Sequence, residues 1–506
     1  MNKILHFILN NPRGGAMLLG AVAALSFAPI YCIFALFFGV WGLLHLIDDA
    51  INTRQLYERL YAFGLGFFGV GTYWVGLSFR TIDIGWLGFP AVAMLSAILA
   101  VFVLPIGLFI KPFKPKSVER RIAFAVGFAL CEWLRGHMFT GFPWSLIGSV
   151  WGAYTLPGMN DLGLSILQMV SFVGVYGLSF LTMLAVVLIT GTNRTASIIA
   201  LNGIIVCSFF GGLRMNDAKT ELLPVNLRMI QPSIDQHLKW LPEKFEHNIE
   251  LQLALSGLKA ERSLSAIIWP EAAVTRILNE SLELREILST IVPQNGHLIT
   301  GTPRREGDKI FTTLSVLNEK AEITHTYKKS HLVPFGEYVP FKKILPVEKV
   351  TPGALDFAEG DGLKTLKISA LPPFSPLICF EALFPGEVVS KNSVKRPEWL
   401  LNITNDAWYG VSAGPYQHLA LVRIRAIEEG LPLVRVANNG VSAVIDPCGR
   451  ILHKLGLNDI GFIDFELPKA LPRTFYSRFK DSFLWGLLII SMIGALIMRR
   501  RHTVTV

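Results

Sequence analysis

The chain has 506 residues, of which 51% are hydrophobic and 17% are charged, and its formal net charge is +9. The charged fraction lies well below the roughly 25% that is typical of soluble domains, so the composition excludes an ordinary soluble protein and indicates a membrane protein. The densest basic runs, KPFKPKSVERR and IMRRRH, lie beside apolar segments, which is typical of cytoplasmic helix ends and argues against a nucleic-acid partner.

The first region, residues 1–215, is mostly apolar and predicts a membrane domain of about seven transmembrane helices. Several runs lie at the short end of the roughly 17–25 residues that span a bilayer. Because further apolar segments follow the first one, the N-terminus is not interpreted as a cleavable signal. The predicted helices cover 12–29, 31–48, 57–79, 85–110, 120–137, 163–191 and 196–213.

The last region, residues 480–506, predicts one more transmembrane helix, at 482–498, and a basic cytoplasmic tail. The placement of Lys and Arg sets the orientation, because these residues are enriched in cytoplasmic loops. With the N-terminus inside, the outside loops before residue 220 hold mainly Arg80 and Arg135. Both termini are therefore expected in the cytoplasm, and residues 220–478 outside it. The inside loops and the tail hold Arg54, Arg59, Lys111, Lys114, Lys116, Arg120, Arg121, Arg194 and Arg499–Arg501.

Residues 220–478 read as a globular domain in which short apolar strands alternate with helices. This alternation predicts an α/β layered fold. The segment PEKFEHNIELQLALSGLKA predicts a helix, because Pro242 suits a first turn and apolar residues follow at helical spacing. Strands are predicted at NLRMIQPSI, LSAIIWPE, HLITGTP, FTTLSVLN, EITHTYKKSHLV, SPLICFE, EWLLNITND, PLVRVANN and IGFIDFEL.

The five cysteines have neither the regular spacing of a disulfide framework nor a metal-binding pattern. We therefore expect no metal site. A disulfide between Cys379 and Cys448, in an oxidising compartment, is the less favoured alternative. The cysteines are Cys32, Cys131, Cys207, Cys379 and Cys448.

Three predicted strands end in reactive side chains: Glu271 in IIWPEAA, Lys329 in THTYKKSHLV and Cys379 in LICFEALFP. Taken singly, these would be a surface Glu, a solvated Lys and a core Cys. Strand ends converge on one edge of a sheet, however, where α/β sites tend to form. A carboxylate can take the thiol proton, and an ammonium can stabilise an oxyanion. The resulting acyl-thioester suits acyl transfer to nitrogen or hydrolysis of a carbon–nitrogen bond.

A Glu–Lys–Cys set on such a domain resembles the nitrilase superfamily. The stretches WPEAA, YKKSHLVPFGEYVPF, ICFEALFP, LLNITNDAWYGVSAGPYQHL and RVANNGVSAVID closely resemble the apolipoprotein N-acyltransferase family. EWLRG and TGFPW extend the resemblance into the apolar region, so that it covers nearly the whole chain. It implies a multi-pass α-helical membrane domain plus an α/β nitrilase-like αββα sandwich.

The resemblance also implies roles for single residues. Glu271 matches the general base, Cys379 the acylated nucleophile and Lys329 the lysine of the triad. Lys329 is preferred to Lys328 because it lies eight residues before the Glu of PFGEYVP. Strand alternation also places these two lysines on opposite faces. That glutamate, Glu337, matches one that supports the lysine, with a structural ion pair as the alternative.

Three further residues complete the predicted site. Glu381 matches the acidic residue two positions after the nucleophile, and a structural ion pair is again the alternative. Trp240, in HLKW, matches a loop aromatic residue near the substrate entrance, and ordinary packing is an equal alternative. The chain departs from the family pattern at Phe380, where the family usually has Tyr.

The resemblance implies transfer of an acyl chain from a membrane phospholipid to the N-terminal amine of a diacylglyceryl-cysteine apolipoprotein. It implies no cofactor, and a location in the bacterial inner membrane with the catalytic domain in the periplasm. We expect a monomer. One alternative is a membrane-tethered nitrilase-type amidohydrolase. The other, a transporter or an enzyme partner with a binding domain, is disfavoured because the membrane region has few charges and lacks paired broken segments.

Two polar groups outside the triad are open to interpretation. Glu132 and Arg135 lie three residues apart in a predicted membrane helix, where ionisable residues often serve a function. A structural ion pair is an equal alternative. His418 is expected in helix–sheet packing, and Asn438 with Asn439 is expected in a turn before Gly440.

Overall fold

The computed structural model describes residues 10–82, 84–152, 160–339 and 356–504. The chain divides into two compact units. The helical unit comprises Met1–Gly76, Trp86–Ala218 and Arg473–Val506. The α/β unit comprises Leu77–Gly85 and Lys219–Pro472.

Several helices of the helical unit begin where a polar side chain accepts a hydrogen bond from the first turn. Asn11, Asn52, Ser117 and Asn193 each cap a helix in this way. The helices of this unit range from 5 to 24 residues. Their bounds are α1 Pro12–Ala23, α2 Ile33–Asp48, α3 Thr53–Gly71, α4 Gly88–Val101, α5 Ile106–Ile110, α6 Val118–His137, α7 Asn160–Leu167, α8 Val170–Ile189, α9 Arg194–Asp217, and after the α/β unit a short helix at Phe475–Phe479 and a long one at Ser482–Val504.

Two segments that the sequence predicts as single helices are broken. The segment 85–110 contains α4 and α5, and the segment 163–191 contains α7 and α8. Within α8, Gly174 has a left-handed φ of 68°. A Cβ atom on Gly174 would lie 2.2 Å from the ring of Tyr476, so a glycine is required at this point.

By length and apolar composition, four described stretches could each cross a membrane: Gly85–Ile110, Val170–Ile189, Arg194–Asp217 and Ser482–Arg501. The bent pair Thr53–Gly71 and Tyr73–Arg80 would make a fifth, and Ile33–Asp48 is apolar but shorter. A multi-pass helical membrane domain is thus present. The number of about eight spans stays a prediction.

Several charges of the helical unit are buried and paired. Asp48, at the end of α2, forms an ion pair with Arg120 at 2.9 Å and accepts a hydrogen bond from Arg121. In α6, Glu132 accepts from the backbone N–H of Ile147 at 2.8 Å, and Arg135 donates to the carbonyl of Phe142 at 2.7 Å. The partners of Glu132 and Arg135 are thus backbone groups of the chain that follows α6, and these contacts hold that chain in place.

The α/β unit contains two sheets. The first has six strands in the order β11-β1-β2-β3-β4-β5, and the second has five in the order β10-β9-β8-β7-β6. β1, β2 and β3 are parallel to one another, as are β6, β7 and β8. The strands are β1 Leu222–Gln231, β2 Ala266–Ile268, β3 His297–Glu306, β4 Lys309–Leu317, β5 Ile323–Lys328, β6 Phe374–Ile378, β7 Trp399–Thr404, β8 Leu433–Ala437, β9 Ser442–Ile445, β10 Ile451–Leu455 and β11 Gly461–Pro468.

The sheets contact each other between β1 and β8 and between β4 and β6. On the first sheet, apolar side chains from the helices Phe245–Ser256 and Leu282–Ser289 form a core with Trp269 and Leu298. The helix Gly414–Glu429 is buried along its length on the side of the second sheet. A shorter helix, Gln236–Lys239, follows β1. The predicted αββα sandwich is confirmed.

Candidate active site

The three predicted triad residues lie directly after strands. Glu271 follows β2, Lys329 is the first residue after β5, and Cys379 is the first residue after β6. β2 and β5 belong to the first sheet and β6 to the second. The site therefore lies where the two sheets face each other, and it combines side chains that are distant in the sequence.

Lys329 joins the carboxylates of the site. Its Nζ atom lies 2.9 Å from Glu337 Oε2 and 3.5 Å from Glu271 Oε1. The lysine is 1% exposed, and its backbone is held by the carbonyl of Thr312 and the N–H of Gly360. Lys328 instead bonds Glu306 at the surface. One buried ammonium thus lies between two carboxylates.

Glu271 is positioned by a close contact between its loop and β3. The N–H of Gly301 donates to Pro270 O at 3.1 Å. A Cβ atom at position 301 would lie 2.6 Å from that oxygen and 2.7 Å from Glu271 Cα, so only glycine permits the approach. On the far side of the carboxylate, Oε2 accepts from the backbone N–H of Asn405 at 2.8 Å. Both carboxylate oxygens therefore have fixed partners.

Cys379 begins a 3-10 turn and has a left-handed φ of 52°, which is uncommon outside glycine. Backbone strain of this kind often occurs at functional sites. Its carbonyl accepts from the side chain of Asn402 at 3.3 Å. The charges of Glu271 and Lys329 both act on the Cys379 thiol, in opposite directions. All five cysteines are free, so the Cys379–Cys448 disulfide is not present.

The charges of the site shift one another's pKa. Burial raises the pKa of Glu271 above its ordinary value, and the positive charge of Lys329 only partly opposes that effect. Burial alone would lower the pKa of Lys329, but Glu337 and Glu271 raise it, so this lysine stays protonated. Burial and the charge of Glu271 raise the pKa of Cys379. These shifts favour a neutral Cys379 thiol at rest, beside a Glu271 carboxyl group whose pKa lies above its ordinary range.

The two supporting glutamates differ in their partners. Glu337 pairs with Lys329, and it also accepts from the backbone N–H of Val333 at 2.9 Å. Glu381 is buried and bonds uncharged donors. Its Oε1 accepts from Tyr327 at 2.8 Å and from the N–H of Ser330 at 2.7 Å, while Oε2 accepts from the N–H of Ile378 at 2.7 Å. Glu381 thus links the chain after β5 to the nucleophile turn through hydrogen bonds.

Phe380 and Trp240 occupy different surroundings. The ring of Phe380 lies edge-on to His331 at 5.6 Å and to Phe384 at 4.9 Å, within an aromatic group. Trp240 is half-buried, and its indole Nε1 has no hydrogen-bond partner among the described residues. It directly follows Lys239, whose ammonium donates to the carbonyl of Glu271 at 3.1 Å. Trp240 therefore lies next to a residue that contacts the site.

Sequence reasoning missed the polar residues that support the site. Asn438 does more than form a turn: it is buried, it donates to the side chain of Asn405 at 2.9 Å, and it donates to the carbonyl of Ile234 at 2.9 Å. Asp406 binds Arg435 at 2.5 Å and His418 at 2.9 Å. The only sequence signal for these residues is the clustering of Asn and Asp at strand ends in NITND and VANN.

No group of three or more His, Cys, Asp or Glu within the described ranges could hold a metal ion. In this site a thiol, a carboxyl group and an ammonium group lie together. Such a set is chemically able to form and discharge an acyl-thioester.

Two family models match the chain. The model described as apolipoprotein N-acyltransferase N-terminal domain matches residues 19–188, and the model described as carbon-nitrogen hydrolase matches residues 227–473. Among solved structures, a variant of the Nesterenkonia AN1 amidase from the nitrilase superfamily is similar, with 18% identity and a TM-score of 0.37. That likeness covers 51% of this chain and 95% of the amidase.

Relatives that match over nearly their full length are more similar in sequence to this chain than the amidase is. A protein of Rickettsia bellii named apolipoprotein N-acyltransferase is 36% identical, over 95% of this chain and 96% of its own length. One of the same name from Rhodopseudomonas palustris is 34% identical, over 96% of this chain and 95% of its own length. Because these matches cover both the helical unit and the α/β unit, this chain belongs to the apolipoprotein N-acyltransferase family.

Proposed function

We propose that this chain N-acylates lipoproteins through a thioester on Cys379. The observation that carries the proposal is the buried cluster in which Lys329 Nζ lies 3.5 Å from Glu271 Oε1 while the charges of Glu271 and Lys329 both act on the Cys379 thiol. The relatives' name, apolipoprotein N-acyltransferase, supplies the acceptor class.

In the first step, the Cys379 sulfur attacks the ester carbonyl of a membrane phospholipid, and the thiol proton passes to Glu271. The tetrahedral oxyanion is stabilised by the ammonium of Lys329, whose proton is held by two carboxylates. When the intermediate collapses, the C–O bond breaks and Glu271 returns the proton to the departing lysophospholipid. The acyl chain is then on Cys379.

In the second step, the N-terminal amine of a diacylglyceryl-cysteine lipoprotein attacks the thioester. The new C–N bond forms as the C–S bond breaks, and Glu271 takes a proton from the amine and returns one to the Cys379 sulfur. Thioesters react readily with amines, so this step needs no further activator. The products are the triacylated lipoprotein and the free enzyme.

Both substrates carry acyl chains, which explains the need for a membrane domain. Exposing acyl chains to water costs about 0.8 kcal/mol per CH₂, so donor and acceptor stay in the bilayer. We propose a membrane domain at 1–215, a catalytic domain at 220–478 facing the periplasm, and a last helix and tail at 480–506. The protein would lie in the inner membrane as a monomer, with both termini in the cytoplasm. The Lys and Arg placement supports this orientation.

The remaining predicted residues have proposed supporting roles. Glu337 would keep Lys329 protonated and in place, since its carboxylate is the nearer of the two partners. Glu381 would fix the nucleophile turn, since it accepts from the N–H of Ile378. Phe380 would pack that turn through its ring contacts, and Trp240 would lie at the entrance for substrate.

The test is a product analysis with the purified full chain in phospholipid vesicles, together with a diacylated lipopeptide. We expect N-acylated peptide and lysophospholipid in equal amounts. If free fatty acid accumulates and the peptide amine stays unmodified, the chain is a hydrolase and the proposal fails. A chain with Cys448→Ala is the matched control: Cys448 is also a buried cysteine of the α/β unit, and its loss should leave the products unchanged.

A further inference from the structure

Lys239 is a buried charge that the proposed mechanism does not use. It is the last residue of the short helix Gln236–Lys239, it is 2% exposed, and buried lysines are rare unless they are paired. Its Nζ atom donates to the backbone carbonyl of Glu271 at 3.1 Å. Burial lowers the pKa of Lys239 to about 7, and the negative charge of Glu271 opposes that effect.

The helix that carries Lys239 contacts Glu271 at a second point. Gln236 accepts from the side chain of Asn405 at 2.7 Å, and the N–H of Asn405 donates to Glu271 Oε2 at 2.8 Å. The backbone of Glu271 is thus held by Lys239 directly, and its carboxylate is held by the same helix through Asn405. The chain just before this helix is also fixed, because the backbone N–H and carbonyl of Ile234 both bond the side chain of Asn438.

The buried charges around Glu271 are not balanced by Lys329 alone, so a second cation would stabilise them. Glu271 and Glu337 are both buried carboxylates, and Lys329 is the cation that both of them contact. Cys379 adds a further negative charge whenever it ionises. With only Lys329, the pair of carboxylates would leave one buried negative charge in excess, which favours protonation of Glu271. A positive Lys239 balances that excess.

We propose that Lys239 is a positioning residue for the base: it holds the Glu271 backbone, and its charge favours the ionised carboxylate that takes the Cys379 proton. The inference deepens the proposed function and rests on it. The other groups that act on Glu271 are Lys329, Glu337 and Cys379. Asp406 acts on Cys379, and Glu271 and Cys379 both act on Tyr409. Of the cations acting on Glu271, Lys239 titrates near neutral pH, whereas Lys329 stays protonated.

The sign of the effect follows from the charge. A positive Lys239 lowers the pKa of Glu271, so a neutral side chain at position 239 raises it. As the pH is lowered, Glu271 then becomes protonated at a higher pH than in the wild type, and a protonated Glu271 cannot accept the thiol proton. The acid limb of any reaction that needs the Cys379 thiolate should therefore move upward in pH.

The experiment measures alkylation of Cys379 by iodoacetamide against pH in the full chain, with the adduct quantified on the Cys379 peptide by mass spectrometry. We expect Lys239→Met to move the acid limb upward by about one pH unit, as removal of a nearby opposite charge does. Lys239→Arg should restore the wild-type limb. Lys328→Met is the matched control, because Lys328 is on the opposite strand face and pairs with Glu306, and it should not move the limb.

A Lys239→Met protein with lower yield but an unchanged acid limb would overturn the proposal and leave Lys239 a purely structural role. If the Met variant does not fold, Lys239→Arg decides: a limb at or below the wild-type pH supports the proposal, and a limb moved upward overturns it. Iodoacetamide needs no acyl donor, so failure of the acyl-transfer function would show in the vesicle assay and not here.

Discussion

The segment Thr404–Asp406 borders two groups of buried charge in the α/β unit. The reactive cluster consists of Glu271, Lys329, Glu337 and Cys379, and the N–H of Asn405 reaches it. The closed cluster consists of Asn402, Asp406, His418 and Arg435, and Thr404 donates to it at 3.1 Å. Both clusters contain carboxylates and cations, and both are shielded from water.

The pKa of a carboxyl group is lowered in the closed cluster and raised in the reactive cluster. Burial would raise the pKa of Asp406, but Arg435 and His418 lower it to about 2. Glu271 shares its lysine with Glu337, and burial raises its pKa. A carboxylate with its own guanidinium stays ionised, whereas one that shares an ammonium can exchange a proton closer to neutral pH. The comparison therefore distinguishes a carboxylate held in an ion pair from one whose raised pKa suits the proton transfer that we propose.

The largest expected effect is that of Glu271→Gln. The amide keeps the shape, and its oxygen can still accept from the N–H of Asn405, but it cannot take the thiol proton. We expect the rate of Cys379 acylation to fall by about 10²–10⁴-fold, measured in a single turnover with phospholipid vesicles. A loss of less than about tenfold would contradict the assignment of Glu271 as the base.

The same variant should not lose stability at neutral pH. A raised carboxyl pKa stabilises the fold below the unfolded-state pKa, and that contribution is lost as the pH rises through the folded-state value. At pH 7 the ionised Glu271 therefore does not favour folding. The thermal midpoint of Glu271→Gln is expected to equal or exceed that of the wild type.

Lys329→Met should reduce both activity and stability. It removes the proposed oxyanion partner and leaves Glu271 and Glu337 without the cation that both of them contact. Breaking a buried ion pair on one side costs about 3–5 kcal/mol, so the thermal midpoint should fall together with the acylation rate. Lys328→Met, the surface control, should leave both near the wild-type values. A Lys329→Met protein with an unchanged midpoint would show that the reactive cluster does not depend on this cation.

Asp406→Asn should act mainly on stability. A pKa lowered from 3.8 to about 2 corresponds to about 2 kcal/mol at neutral pH, and that contribution is lost as the pH falls from about 4 toward about 2. The variant should therefore unfold more easily at pH 7, with a difference from the wild type that narrows in acid. Thermal unfolding at several pH values measures this. If the stability difference between Asp406→Asn and the wild type grew in acid, the pKa of Asp406 could not be lowered in the folded state.

Phe380→Tyr should have the smallest effect. The ring is nearly buried and lies against His331 and Phe384, so the family's usual hydroxyl would need a partner in this aromatic group. We expect the acylation barrier to change by about 1 kcal/mol or less, or about fivefold in rate. A rate increase of two orders of magnitude would show that the hydroxyl contributes directly to the chemistry.

Much of the fold follows from hydrophobic patterning. The apolar runs predict the helical unit, and strand–helix alternation predicts the α/β unit with nine of its strands. The sequence did not predict β9 and β10, because Ser442–Ile445 is very short and Ile451–Leu455 is largely exposed. Nor did it predict the break in α8. Gly174 looks like an ordinary glycine within a helix, and its requirement for glycine depends on packing against Tyr476, which is distant in the sequence.

The triad residues could be found in the sequence because a Glu, a Lys and a Cys each follow an apolar strand. Their supports could not. The contacts of Asn405 with Glu271 and of Lys239 with the Glu271 carbonyl join residues more than 30 positions apart. Periodicity and local motifs carry no information about such pairings, which depend on how the two sheets face each other.

Acylation of Cys379 can be tested by incubating the purified chain with phospholipid alone and determining the mass and the position of any acyl group on the protein. We predict one acyl adduct, mapped to Cys379, that disappears when the diacylated lipopeptide is added. Cys379→Ala should carry no adduct, and Cys448→Ala should carry the wild-type one. An adduct on another residue, or one that persists in Cys379→Ala, would contradict the account.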